Sequence, residues 1–478
     1  MDLEFQQGFL DYQYVVALRE EKISLKHPKI PTQGVPKIFM LKCLLYGFSC
    51  GATMSMCQLG ALINAPLMVL FNKTSNEVFG VDDGGILLLS AGSWMGMAGM
   101  FFSLAAVIPL MDFLGRKIVC VYIKFTFTTL GCSLFVLSWL VQNGLLYLLG
   151  VACLVVPFAV VALGDIIFLS EIAPSNHRAF FAMLAFSFVT VSAQICTVLA
   201  REDVLGTPEK WGYIPLFGQA LNMVMLFVGH SLPDPEQEKL KDQMSLTEFY
   251  QQHFGKFAGF FRNRNGLTEK LLLVMAIDLF AVMNISLIEG IFLIPIYRGE
   301  GMDVNEILSM GLIVFAVLMP FRWIGPMILT KIDNRKIFHY ALPVFAFKSA
   351  LHLVNSWTQI EALCYVNQFL EKIVEATGLP AISYIIATEI FAPEVLVIAT
   401  QLVMVNSTVF MSILTSLAPF TFGTCLPYYL VLITVFSAVA AKFAIRFWRT
   451  VDEQAPEAEA LLRKCSPPPG YAEKELLI

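Results

Sequence analysis

Charged residues are scarce in this 478-residue chain, and their scarcity is the first constraint on its fold. Only 14% of the residues are Asp, Glu, Lys or Arg, whereas 57% are hydrophobic and 40 are Phe. A soluble globular protein has about a quarter of its residues charged. The composition therefore excludes an ordinary soluble domain and indicates a membrane protein.

Several functional patterns are also missing from the sequence. The ten cysteines include no C-x-x-C pair, so we expect neither a metal site nor a cofactor, and most of them fall inside apolar stretches. No basic run suggests a nucleic-acid partner. No nucleophile–base constellation or phosphate-binding loop suggests an enzyme. Residues 1–36 lack a charged start followed by an apolar core, so we expect no signal peptide.

Long apolar stretches dominate the chain instead. Each holds about 20 mostly apolar residues, enough for a helix to cross roughly 30 Å of hydrocarbon. They lie at 38–71, 85–111, 118–141, 144–169, 179–200, 213–232, 270–296, 307–330, 337–354, 360–388, 396–422 and 425–447. The sequence therefore predicts an all-α membrane protein with about twelve spans.

Two charged clusters recur at a nearly constant offset. The cluster at 112–117 corresponds to the one at 331–336, and the cluster at 170–174 corresponds to the one at 388–393. The offsets are 335 − 116 = 219 and 389 − 171 = 218. Because each cluster ends an apolar stretch, we interpret the chain as two homologous membrane halves, an architecture typical of secondary transporters.

The distribution of charge predicts the topology and the boundaries. Lys and Arg are enriched in the loops that would face the cytoplasm if both ends are cytoplasmic. The sequon at Asn72 would then lie just outside span one, so we expect a glycoprotein. The predicted segments are a cytoplasmic tail at 1–36, a six-helix bundle at 37–232, cytoplasmic linker helices at 233–269, a second six-helix bundle at 270–448 and a disordered cytoplasmic tail at 449–478.

The charged motifs resemble those of the sugar porters of the major facilitator superfamily, and within them the facilitative glucose transporters. The G-x-x-x-[DN]-x-x-G-R-[RK] loop after span two is matched by Asp112, Gly115, Arg116 and Lys117, with Ile108 in place of the first glycine. The E-x-x-P-x-x-x-R-G stretch after span four is matched by Glu171, Pro174 and Arg178, with Ala179 in place of the last glycine.

The resemblance implies a twelve-helix major facilitator fold built from two pseudo-symmetric six-helix bundles. It also implies a salt-bridge network at the inner helix ends, which would stabilise a state closed on the inside. The residues expected in this gating network are Asp112, Gly115, Arg116, Lys117, Glu171, Arg178, Asp333, Arg335, Lys336 and Glu389. The alternative is that the basic members only determine topology.

A sugar site needs amide, hydroxyl and aromatic groups near the bilayer midplane. The family's usual contacts are not preserved here, since Phe186 stands at its span-five glutamine and Tyr384 at its span-ten tryptophan. The remaining candidates for substrate binding are Gln194, Asn222, Asn284, Glu289, Glu375, Tyr384, Asn406 and Ser407. For each Asn, Gln or Ser, a helix–helix hydrogen bond is the alternative interpretation.

Ionisable residues inside spans carry more weight, because they are costly in lipid. Lys348 with Glu371 predicts a buried salt bridge between spans nine and ten. Asp165 and Asp278 are interpreted as lying near cytoplasmic ends.

Three functions remain open from the sequence. The first is a carrier of a small polar solute, a hexose or related sugar, and the absence of Asp and Glu between residues 37 and 66 favours facilitation over proton symport. The second is a carrier of a non-sugar, charged solute. The third is a non-transporting receptor or subunit whose partners are other membrane proteins. In each case lipid surrounds the chain, and we expect the plasma membrane, with an endolysosomal membrane as the alternative.

Overall fold

The computed structural model describes residues 37–82, 84–173, 178–234, 244–262, 267–282, 294, 296–321, 324, 334–377, 383, 386–387, 390–391, 393–421 and 431–448. The two predicted tails lie outside these ranges. Residues Ile38–Phe447 form one compact unit. All of the regular structure among the described residues is helical, which confirms the predicted fold class.

The helices of the first half follow the predicted stretches closely. They are α1 (Lys37–Leu62), α2 (Asn64–Phe79), α3 (Gly85–Phe113), α4 (Ile118–Val141), α5 (Gly144–Ile172), α6 (Arg178–Leu199) and α7 (Tyr213–Ser231). The first predicted span, 38–71, covers α1 and the first half of α2, which continues to Phe79. The chain breaks at Ile63, whose ψ of 36° is not helical, because Pro66 in the first turn of α2 has no N–H to bond the carbonyl of Leu62.

One described helix, α8 (Leu246–Arg262), lies in the predicted linker. The described helices of the second half are α9 (Leu267–Val282), α10 (Val304–Leu318), α11 (Asn334–Thr358), α12 (Glu361–Thr377), α13 (Pro393–Thr421) and α14 (Val431–Trp448). Seven segments within the described ranges are long and apolar enough to cross a membrane by themselves: Lys37–Cys57, Gly85–Phe113, Ile118–Val141, Gly144–Ile172, Tyr213–Ser231, Val395–Leu414 and Val431–Trp448.

Local sequence explains where several helices begin and end. Gly80 adopts the left-handed conformation that closes α2 (φ 65°). The Asn143 side chain accepts a hydrogen bond from the Leu145 N–H and caps α5. Asp303 and Glu306 form a capping box at the start of α10. These caps satisfy backbone groups that lipid could not.

Three π-helical turns interrupt the first half, at Ser103–Val107 in α3, Ile118–Ile123 in α4 and Val160–Gly164 in α5. A π turn shifts the hydrogen-bond register by one residue and releases a carbonyl from its usual partner. Proline lies close to two of these turns, Pro109 after the first and Pro157 before the third. The released carbonyls matter for the site described below.

An aromatic core packs the first bundle. Phe135 of α4 stacks on Tyr147 of α5 with ring centroids 4.3 Å apart, and Trp211 meets Tyr147 edge to face. All three side chains are buried. Rings in these geometries contribute about 0.5–1.5 kcal/mol per pair beyond their burial, so this part of the bundle is firmly packed.

Candidate functional site

Arg116 lies at the centre of a charged network between α3, α4 and α5. Its guanidinium forms an ion pair with Asp112, four residues earlier, and lies 3.3 Å from both carboxylate oxygens of Glu171. Arg116 is 4% exposed, whereas the two carboxylates keep 29% and 26% of their side-chain surface. Burial alone would lower the pKa of Arg116, but the carboxylates of Asp112 and Glu171 outweigh it and raise that pKa.

Two neighbours of Arg116 have backbone roles. Gly115 has a φ of 103°, a conformation that glycine adopts readily and other residues avoid. Lys117 donates to the carbonyls of His230 and Leu232, at 2.8 and 2.6 Å. A lysine at the last carbonyls of a helix is favourable, so Lys117 fastens the start of α4 to the end of α7.

The gating role of this network stays a prediction. Lys336 lies exposed in the first turn of α11. The side chains of Arg178 and Arg335, and the residues Asp333 and Glu389, lie outside the described part of the chain.

A buried ion pair joins α4 to α5 inside the first bundle. Lys124 has no exposed surface, and its Nζ lies 2.6 and 2.8 Å from the two oxygens of Asp165. Two residues of α1 complete the cluster, the Tyr46 hydroxyl at 2.8 Å and the Cys50 sulfur at 3.0 Å. Tyr46 in turn donates to Asp165 at 2.7 Å. Asp165 therefore lies inside the bundle rather than at a helix end.

Both charged members of this pair follow a π turn. The Lys124 N–H bonds the carbonyl of Val119, five residues back, and the Cys120 carbonyl accepts from the Tyr46 hydroxyl at 3.0 Å. Likewise, the Asp165 N–H bonds the carbonyl of Val160. The shifted register thus helps bring spans one, three and four together around one ion pair.

The second bundle contains an ion pair of the same kind. The Lys348 ammonium of α11 bonds the Glu371 carboxylate of α12, and both side chains are buried, as the sequence predicted. Farther along α11, His352 pairs at 3.0 Å with Glu300, which precedes α10, and Glu300 accepts from the Asn355 amide at 2.6 Å.

Asp278 has a different environment. It lies on α9, is 1% exposed, and accepts hydrogen bonds from the hydroxyls of Ser383, at 2.9 Å, and Ser407. Ser407, a predicted substrate contact, is thus used in a helix–helix contact. Like Asp165, Asp278 lies inside its bundle and not at a cytoplasmic helix end.

The other predicted substrate contacts divide into three groups. Asn222 donates to the Phe125 carbonyl and the Thr129 hydroxyl, both at 3.1 Å, so its amide joins α7 to α4. Gln194 on α6 is 8% exposed and forms no hydrogen bond within the described residues. The Asn406 amide nitrogen is buried with no hydrogen-bond partner in the same set. Asn284, Glu289, Tyr384 and the Glu375 side chain lie outside the described residues.

One further residue has the same property as Asn406. Asn367 of α12 is fully buried, and neither of its amide atoms has a hydrogen-bond partner among the described residues. A buried amide without partners costs about 1–3 kcal/mol. Sequence reasoning missed Asn367, although its polarity inside span ten was the available signal.

The two bundles meet on the expected inner side through Gln401 of α13. Its amide nitrogen donates to the Leu104 carbonyl of α3 at 2.8 Å, and its oxygen lies 3.1 Å from Nε2 of His253 on α8. Since an amide oxygen only accepts, the histidine donates. Tyr250 of α8 donates to the Ala106 carbonyl of α3.

The π turn of α3 explains why the Leu104 carbonyl is available for this contact. The Ile108 N–H bonds Ser103 rather than Leu104, and Pro109 has no N–H to offer. The Leu104 carbonyl is therefore released and becomes the acceptor for Gln401.

Apolar and outer contacts complete the interface between the halves. A hydrophobic cluster on α1, α6 and α10 contains Leu44, Phe188, Val191, Met40, Phe48, Phe180, Phe315 and Met319. On the expected outer side, Arg201 donates to the Ser309 hydroxyl of α10 at 2.8 Å. Its hydrogen bond to Asp203 lowers the pKa of that exposed carboxyl.

The sequon residue Asn72 lies within α2. Its side-chain oxygen accepts a hydrogen bond from the Gly85 N–H at 2.8 Å, and the Thr74 hydroxyl is buried. Glycosylation at Asn72 stays a prediction.

Solved structures with the same fold are transporters. The chain is similar to the proton:xylose symporter XylE bound to 6-bromo-6-deoxy-D-glucose (TM-score 0.62, 13% identity, 86% of this chain and 96% of that chain). It is also similar to the E. coli fucose:proton symporter FucP (TM-score 0.56, 15% identity, 86% and 98%). A third is the human organic anion transporter MFSD10 (TM-score 0.58, 10% identity, 84% and 99%).

No family model and no curated protein matches the sequence. At 10–15% identity the structural likeness concerns the fold alone. The chain folds as a multi-pass, all-α membrane protein with the twelve-helix architecture of the major facilitator superfamily, in two six-helix bundles.

Proposed function

We propose that this protein is a membrane transporter that carries a small polar solute, a hexose or related sugar, by facilitative alternating access. The proposal rests on a difference between the polar contacts within each bundle and those between the two bundles. Within each bundle, buried ion pairs join neighbouring helices, at Lys124–Asp165 and at Lys348–Glu371. Between the bundles, the inner contact of Gln401 with the Leu104 carbonyl is a neutral hydrogen bond.

This contrast suits a rocking motion of two rigid bodies. Separating a buried ion pair leaves an uncompensated charge and costs about 3–5 kcal/mol, whereas a neutral hydrogen bond contributes a net 0.5–1.5 kcal/mol. The polar contact on the inner side is therefore cheaper to break than either buried ion pair within a bundle. Alternating access around a site between two repeats requires this order of strengths.

Gln194 and Asn406 are the substrate contacts that we favour. Gln194 lies on α6 of the first bundle and Asn406 on α13 of the second. In each side chain, an amide group can form hydrogen bonds that it does not form with the described residues. Amides can both donate to and accept from sugar hydroxyls. The proposal therefore assigns them to opposite walls of the pathway.

A second candidate is a carrier of a non-sugar, charged solute. It is favoured by the occupation of Asn222 and Ser407 in helix–helix bonds, which removes two of the predicted sugar contacts. The acidic group of Asp278, whose hydrogen-bond donors among the described residues are two hydroxyls, adds a polar feature that a neutral sugar does not need.

The test is flux into liposomes that contain the purified full-length protein. We expect saturable uptake of at least one labelled sugar, which stops when the inner and outer concentrations are equal. Gln194→Ala should lower this uptake at least tenfold, whereas the control Gln219→Ala should not, because Gln219 bonds Thr129 inside the first bundle.

Two results would contradict the proposal in different ways. Uptake of organic ions but of no sugar or polyol would favour the second candidate. Flux equal to that of empty liposomes for every solute would favour a non-transporting receptor or subunit.

A further inference from the structure

Asp278 differs from the other buried carboxylates of the described residues in its hydrogen-bond partners. Its described hydrogen-bond donors are the neutral hydroxyls of Ser383 and Ser407. The buried carboxylates elsewhere in the described residues have basic partners, in the pairs Asp165 with Lys124, Glu371 with Lys348, and Glu300 with His352. Among the described residues, a basic side chain therefore faces each of these acids but not Asp278.

In the described part of the chain, the helices packed against Asp278 place no cation beside it. On α9 itself, Glu269 and Lys270 precede it by eight residues or more, about 12 Å along the axis. The sequence of α13 has one charged residue, Glu394, in its first turn. The linker helix α8 contributes His253, which bonds Gln401. On span ten, Glu371 is paired with Lys348, and the Glu375 and Glu389 side chains lie outside the described residues.

The internal repeat allows the surroundings of the buried acids Asp165 and Asp278 to be compared between the two halves. Ser383 follows Asp165 by 383 − 165 = 218 residues, the offset that relates Glu389 to Glu171. At this level the first bundle places a carboxylate on span four opposite a lysine. The second bundle places a serine there, opposite the carboxylate of Asp278 on span seven. The acid is thus missing from its repeat position and lies on span seven instead, while the position that corresponds to Lys124, 124 + 218 = 342, is Leu342.

An ionised Asp278 would therefore be costly. Burying a carboxylate without a cation costs more free energy than two neutral hydrogen bonds return. Binding one proton removes the charge altogether. We propose that Asp278 is a proton-binding site, occupied in this conformation, in which the neutral carboxyl exchanges hydrogen bonds with the hydroxyls of Ser383 and Ser407.

The geometry also indicates what the proton does. A neutral carboxyl has one O–H to donate and can still accept, and serine hydroxyls rotate to match it. The neutral group ties span seven to spans ten and eleven. Loss of the proton leaves a buried charge, which is relieved when these helices separate and admit water. Proton occupancy therefore stabilises the packed arrangement of the second bundle.

Infrared spectroscopy of the purified full-length protein in lipid tests this site without any knowledge of the solute. At neutral pH, we expect the wild-type spectrum to contain a carbonyl band of a protonated carboxylic acid that is absent from Asp278→Asn. Ser383→Ala should shift this band, because it removes one of its hydrogen bonds. The control Asp203→Asn, at an exposed carboxylate paired with Arg201, should leave it unchanged.

The outcomes separate this inference from the proposed function. If the wild-type protein has no such band, or if the band survives in both Asp278→Asn and Asp278→Ala, the proton site is wrong whatever the flux assay shows. Stabilisation by Na⁺ at neutral pH that is lost in Asp278→Asn would overturn it in favour of a sodium site. Should Asp278→Asn fail to fold, the Ser383→Ala shift decides, and an unshifted band contradicts the proposal.

Discussion

Removing one member of the Lys124–Asp165 pair should destabilise the first bundle strongly. Lys124 has no exposed surface, and its ammonium contacts Asp165, Tyr46 and Cys50. Lys124→Met keeps the length of the side chain but leaves the Asp165 carboxylate buried without its cation. Breaking a buried pair in this way costs about 3–5 kcal/mol, and we expect a loss of that size.

The double variant Lys124→Met/Asp165→Leu distinguishes charge from shape. It removes both charges and replaces them by apolar groups, and such replacements are often neutral or stabilising. We therefore expect the double variant to recover most of the stability that Lys124→Met loses. A shared packing defect would instead make the double variant the less stable of the two.

The assay is equilibrium unfolding of the purified protein in detergent, followed by helical circular dichroism. The control is Lys73→Met, because Lys73 lies 3.9 Å from Glu77 with 48% of its side chain exposed, and such pairs contribute about 0–1 kcal/mol. A loss below about 1 kcal/mol for Lys124→Met, or a double variant no more stable than the single one, would refute the reasoning.

Three further predictions address the inner side of the protein. Gln401→Ala should cost about 1–3 kcal/mol and increase hydrogen–deuterium exchange in α8, whereas Gln219→Ala should leave that exchange unchanged; equal exchange in both variants would contradict this. Gly115→Ala should lose roughly 1–2 kcal/mol of unfolding free energy, because alanine is strained at its φ of 103°, while Gly311→Ala, with open space at its Cβ, should gain about 0.5–1 kcal/mol. Arg116→Ala should lower the free energy of unfolding by roughly 1–3 kcal/mol at neutral pH, less than the loss of a fully buried pair, because its partner carboxylates are about a quarter exposed. An unchanged unfolding midpoint would contradict this prediction.

The sequence predicted the fold well because long apolar stretches leave a chain few choices in lipid. Every predicted span contains a described helix, and the Lys348–Glu371 pair followed from two opposite charges in neighbouring apolar stretches. The Arg116 network was also predictable, since its members lie at the ends of apolar stretches, where charged motifs recur. In these cases the cost of an unpaired charge in lipid decides the structure.

Other features could not be predicted, because they depend on register. Lys124 was overlooked although a lone lysine in an apolar stretch is a signal that a buried acid faces it. Asp165 and Asp278 were placed near helix ends, because hydropathy gives the depth of a residue only when the helix boundaries are known. The π turns before Lys124 and Asp165 change which way these side chains point, and a single sequence does not reveal such a shift.

The π turn at Ser103–Val107 shows how a local defect becomes an interface. Pro109 cannot donate a backbone hydrogen bond, so α3 must leave a carbonyl free inside the membrane. Without a partner, that carbonyl would be a buried acceptor that lacks a hydrogen bond. At the junction of the halves it becomes an acceptor that α13 satisfies through Gln401. In the proposed alternating access, this neutral bond would be made while the inner side is closed and would be replaced by bonds to water when that side opens.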